Sequence, residues 1–110
     1  MTHKQIASMI ASVGFPYAYY QFPEGTAQAP PFVVFFYSEI DDVYADNSNY
    51  QRIEQLNIEL YTSEKDFTAE ATLENVLKNN GFSYHKYESY VDSEKMYQIA
   101  YETQVLIDES

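Results

Sequence analysis

The sequence predicts an α+β fold in the order α-β-β-β-α-β-β, a mostly antiparallel five-stranded sheet with two helices packed on one face. Three observations carry this expectation. Two stretches repeat apolar residues at helical spacing, five others are rich in aromatic and β-branched residues, and hairpin-like connections join neighbouring strands. The 110 residues form a single domain, 1–110, with no internal repeat, low-complexity segment or linker.

The first helix is signalled by Thr2 and Gln5, a capping box, and by Ile6, Met9, Ile10 and Val13 on one stripe. Gly14 and Pro16 end it. Tyr17 to Phe22 reads as a first strand by its aromatic content, and Pro23 to Pro31 as a loop. Phe32 to Ser38, "FVVFFYS", is a second strand without alternation, so cover is expected on both faces. Glu39 to Asn49 is a polar loop or hairpin arm.

Tyr50 to Thr62 is a long third strand. Leu56, Ile58 and Leu60 share one face while Ile53 falls on the other parity, which predicts a bulge near Glu54 and Gln55. The second helix is expected to open at Ser63, with Glu64 and Asp66 in its first turn. It carries Ala69, Leu73, Val76 and Leu77 as its stripe and stops at Asn79, Asn80 and Gly81. Phe82 to Val91 is the fourth strand, Asp92 to Lys95 a turn, and Met96 to Ile107 the fifth strand. Tyr97, Ile99, Tyr101, Val105 and Ile107 are placed on one face of that last strand.

Composition narrows the function. Six basic against seventeen acidic residues give a formal charge of −11, which repels phosphate backbones and anionic membranes. No apolar run approaches the length needed to span a bilayer, and the opening "MTHKQIASMIASVGF" lacks the features of a secretory signal. Cysteine is absent, which excludes disulfides and thiol chemistry and fits an intracellular location. Twelve tyrosines exceed what one small core needs, and tyrosine suits half-buried sheet faces and protein interfaces. A self-associating protein is therefore expected.

Catalytic signals are missing. There is no nucleophile elbow, phosphate-binding glycine loop, dinucleotide fingerprint or H-E-x-x-H. His3 falls in the first helical turn. His85 shares its strand parity with Ser83 and Ser89, but a serine–histidine pair needs an orienting group and an oxyanion site, and neither can be named. His85 is read as a surface or interface histidine. Asp41, Asp42, Asp46, Asn47 and Asn49 offer hard oxygen ligands, yet the spacing is not that of a calcium loop and the closing glutamate is missing. They are read as an exposed acidic arm, with no metal, cofactor or catalytic residue expected anywhere in the chain.

The segment Phe32 to Tyr37 is an aggregation hazard guarded by Pro30 and Pro31 before it and by Glu39, Asp41 and Asp42 after it. Gatekeeping alone accounts for that juxtaposition. It leaves open what covers the second face of the strand, a loop or a neighbouring subunit.

The stretches "FPYAYYQFPEGTAQAPPFVVFFY" and "ADNSNYQRIEQLNIELYT" resemble small proteins of the tail-morphogenesis modules of siphophages and prophages of Gram-positive bacteria. The resemblance runs over nearly the whole chain, and the element order is similar to that of the tail terminator family. Its motifs are structural, not catalytic. Membership implies a homo-oligomeric ring, commonly a hexamer, in the virion tail after assembly in the host cytoplasm. Such a ring caps the tail tube, joins it to the head–tail connector proteins and lets DNA pass without tight binding. Head-closure and minor tail proteins are similarly small, so the position within the module stays open.

On that reading Asp41, Asp42 and Asp46 project toward an acidic lumen. Phe32, Phe36, Tyr37, Tyr84 and Tyr90 make the subunit contacts. The competing expectation from another class is an acidic DNA mimic that inhibits a nucleic-acid enzyme. Its acids should line one extended face, whereas here they are spread over loops and strand edges.

Overall fold

The computed structural model describes residues 1–26, 28–38 and 51–108. It has two helices and a five-stranded sheet in the expected α+β order. They are α1 (His3–Ala11), β1 (Tyr17–Tyr19), β2 (Phe32–Ser38), β3 (Gln51–Thr62), α2 (Phe67–Asn79), β4 (His85–Val91) and β5 (Met96–Asp108). The strands lie in the order β1-β2-β3-β5-β4. Every pairing is antiparallel except β1 with β2, which is parallel.

Both helices are fixed by their ends. Thr2 Oγ1 accepts from Gln5 N–H while Gln5 Oε1 accepts from Thr2 N–H, the reciprocal capping box expected at α1. α2 begins later than expected. Asp66, not Ser63, is its N-cap, with Oδ1 accepting from Ala69 N–H at 2.9 Å. At its C-terminus Phe82 N–H reaches Leu77 O and Gly81 N–H reaches Lys78 O, a Schellman arrangement. Gly81 takes φ +82°, where a Cβ is disfavoured.

One sheet face carries the core. Leu56, Ile58 and Leu60 of β3 lie opposite Tyr37, Phe35 and Val33 of β2, and opposite Thr103, Tyr101 and Ile99 of β5. Ile6, Met9 and Ile10 from α1 and Ala69, Leu73 and Leu77 from α2 close over this row in one cluster. The alternation read from β5 is therefore the alternation of burial, with Ile99, Tyr101, Val105 and Ile107 buried.

Two other expectations are corrected. The β3–β5 register runs unbroken from Gln51 opposite Asp108 to Thr62 opposite Tyr97, so there is no bulge at Glu54 and Gln55. Ile53 instead sits on the outer face beside Leu106, 39% and 48% exposed, because apolar cross-strand neighbours tolerate that face without a break in the ladder. The first strand is also shorter than Tyr17 to Phe22. Tyr20 adopts φ +71°, which ends β1 and turns the chain over the sheet.

Candidate functional site

The outer face of the sheet answers what covers the non-alternating strand. Once Tyr20 has turned the chain, its ring lies edge-on to Phe36 at 6.0 Å, and Phe22 lies edge-on to Phe32 at 5.4 Å. The chain's own segment thus covers the second face of β2 in part, and Val34 between these rings is buried. Phe32 stacks on Tyr61 of β3 at 4.9 Å, with the rings 20° apart.

Polar groups continue the row. The Tyr61 hydroxyl donates to Glu59 Oε1 at 2.9 Å and accepts from Gln98 Nε2 at 2.7 Å, while Ser89 Oγ donates to Gln98 Oε1 at 3.2 Å. A band from Phe22 through Phe32, Tyr61 and Gln98 to Ser89 crosses β2, β3, β5 and β4. Burial, offset by the Gln98 hydrogen bond and reinforced by Glu59, pushes the Tyr61 phenol up to about 12. The phenol therefore stays neutral and can act as both donor and acceptor. Asn57 joins the same face, donating to Ser38 Oγ at 2.7 Å and accepting from Gln55 Nε2 at 2.8 Å.

The contact residues expected from sequence do not form one surface. Phe32 and Phe36 belong to the outer face. Tyr37 and Tyr90 fall on the helix side, by register with Leu56 and Tyr97, while Tyr84 precedes β4, which begins at His85 and not at Phe82 as expected. Tyr37 and Tyr84 pack against the core cluster, Tyr84 edge-on to Tyr101 at 5.2 Å. Burial, helped by the charge of Glu54 and by Tyr19, pushes the Tyr37 phenol up to about 12. Tyr90 is 47% exposed on β4. The acidic-arm residues Asp41, Asp42 and Asp46 lie outside the described residues.

The two histidines occupy exposed positions. His3 meets Tyr37 edge-on at 4.8 Å. His85 faces Glu102 across the β4–β5 pair, at a cleft lined also by Ser83, Thr103 and Gln55. Ser89 Oγ is hydrogen-bonded to Gln98, the Ser83 backbone carbonyl accepts from Thr103 Oγ1, and among the described residues no hydrogen bond joins His85 to a serine hydroxyl. Among the described residues, no group of three or more histidine and acidic side chains is placed to hold a metal ion.

An ionic cluster at the α2–β4 junction was not foreseen. Glu70, 2% exposed, is reached by Lys65 at Oε2 and by Lys86 at Oε1, the latter at 2.8 Å. Lys86 also contacts Glu74 at 2.6 Å, Lys65 contacts Glu88, and the Tyr101 hydroxyl donates to Glu74 at 2.8 Å. Burial alone would raise the Glu70 carboxyl, but Lys65 and Lys86 hold it below its ordinary value. Lys86 is raised despite burial by Glu70 and Glu74. Helical spacing was the usable signal: Glu70 precedes Leu73 by three and Leu77 by seven residues, so it borders the buried stripe.

The arrangement can pack, stack and pair charges. Among the described residues it offers no nucleophile beside a base. Compared with protein-family models and with curated proteins, the chain matches none.

Proposed function

We propose that this chain is a structural subunit of a phage or prophage tail, a tail terminator or head–tail joining protein that assembles into a ring over the tail tube. The observation that carries this reading is the sheet's outer face. A band of packed aromatic rings and mostly neutral hydrogen-bonding groups, with Glu59 holding the Tyr61 hydroxyl, crosses four strands of a chain whose formal charge is −11. Such a face suits protein contact, because aromatic and neutral polar groups lose less on desolvation than charges do. The net negative charge suits a passage that must not retain DNA.

The element order and the tail-module resemblance of residues 15–37 and 45–62 point the same way. The DNA-mimic reading draws less support. Glu70, Glu74 and Glu88 are neutralised by lysines instead of being presented as a row of free charges. The test is co-sedimentation with purified tail tubes. Binding at substoichiometric ratio to tube subunits supports a terminal cap, and no binding removes the reading.

A further inference from the structure

We infer that two copies of this chain pair antiparallel through β4, about a two-fold axis at Tyr87, to make one continuous sheet.

β4 ends the strand order, and its residues from His85 to Tyr90 are all exposed. Its register with β5 is unbroken from His85 to Val91, and the strand contains no proline, so neither a bulge nor a missing donor blunts the edge. A lysine is the usual guard of such an edge. Here Lys86 is drawn over α2 by Glu70 and Glu74, so its ammonium is turned back onto its own subunit.

The occupant follows from the strand's own charges. In an antiparallel two-fold pair, residues facing each other have numbers that sum to a constant, and the axis passes through a residue that faces itself. With the axis at Tyr87, position 86 of each copy lies across from position 88 of the other, so the Lys65–Glu88 pair of one copy adjoins the Lys86–Glu70–Glu74 cluster of its partner and no like charges are set opposite. His85 faces Ser89. With the axis at Glu88 or Lys86, like charges would meet at the centre. Cross-strand partners on one face attract when their charges differ and repel when they match. The sequence His85–Ser89 therefore fits itself in the register centred on Tyr87.

A two-fold contact closes after two copies, whereas a ring needs a separate head-to-tail contact. The pairing uses only β4, where the outer band ends at Ser89, and leaves the band's aromatic part on β2 and β3 and the β1 edge free. It is independent of the tail reading, and either can fail without the other.

The test exploits the absence of cysteine from the sequence. Facing residues in an antiparallel pair have Cα atoms about 4.5–5.5 Å apart, within disulfide reach. Tyr87→Cys alone should oxidise to a covalent dimer. His85→Cys and Ser89→Cys should each stay uncrosslinked, since each lies roughly 13 Å from its own copy along the strand. Mixed together, those two variants should crosslink to each other.

Light scattering of the untreated protein, without tail tubes, should give a dimer mass. Glu88→Lys, which sets lysine against Lys86, should weaken that dimer by about tenfold. Circular dichroism and melting of each variant establish that it is folded. A monomer mass at several hundred micromolar overturns the pairing. Equal crosslinking at positions 85, 87 and 89 overturns the register.

Discussion

Glu70 and Lys86 form an ion pair across the helix–sheet junction, with Lys86 Nζ 2.8 Å from an oxygen of a carboxylate that is 2% exposed. A carboxylate so buried is tolerable only because two ammonium groups reach it, Lys86 at one oxygen and Lys65 at the other. Its pKa is lowered in the folded state, so the folded chain binds fewer protons than the unfolded chain as pH falls. The pair's contribution is therefore complete above the ordinary glutamate pKa of about 4.3, and is lost as pH falls through the lower folded value. Glu70→Gln should reduce stability at pH 7 by about 1–3 kcal/mol and flatten the acid limb of the stability curve. Urea unfolding between pH 3 and 7 reads both. An acid limb as steep as that of the parent protein would exclude this role for Glu70.

Gly81 closes α2 at φ +82° within the Schellman hydrogen bonds. Gly81→Ala should cost about 1–2 kcal/mol, since a Cβ in the left-handed region strains the backbone. Space around the position is open, with nothing within 4 Å of an added Cβ, so the loss reports conformation and not a clash. Thermal unfolding should show a drop of several degrees. An unchanged midpoint would show that the turn relaxes.

Phe35 is 4% exposed between Ile58 of β3 and Tyr19 of β1. Phe35→Asp should abolish folding, because a carboxylate placed in this layer loses its hydration without a built hydrogen-bond network to replace it. Phe35→Leu should fold with a loss of about 1–3 kcal/mol, as expected when a core side chain is cut back. Soluble, cooperatively melting Phe35→Asp protein would contradict the assignment of β2 to the core.

The fold was legible where side-chain period decides burial. Alternation along β5 and the stripe of α1 translate directly into which atoms leave water. The faulty expectations came where a local signal was outvoted. Ile53 implied a bulge only if every apolar residue had to be buried, and cross-strand pairing with Leu106 removes that need. Ser63 and Asp66 are both good caps, and only Asp66 has its carboxylate against Ala69 N–H. The Tyr20 turn that covers Phe36 depends on a backbone conformation that tyrosine seldom adopts, so nothing in residue type announced it. The outer band unites residues from distant parts of the chain, which only strand order brings together.

Asp41, Asp42 and Asp46 carry the proposal of an acidic arm that lines a passage. Replacing all three with asparagine should shift stability by less than about 0.5 kcal/mol, the usual range for exposed substitutions. It should raise DNA retention in assembled particles. Titration calorimetry with calcium and magnesium should show no specific binding. A micromolar calcium affinity that the triple variant loses would replace the arm with a metal site.

The central claim is that this chain caps tail tubes as a ring. Electron microscopy of purified tubes, incubated with the chain and compared with tubes alone, tests it most directly. The account predicts added density at one end of each tube, closed around an axial opening, that is lost when Tyr20 and Phe36 on the outer face are both changed to serine in protein that remains folded. Tubes left bare at both ends, or decorated along their length, would contradict it.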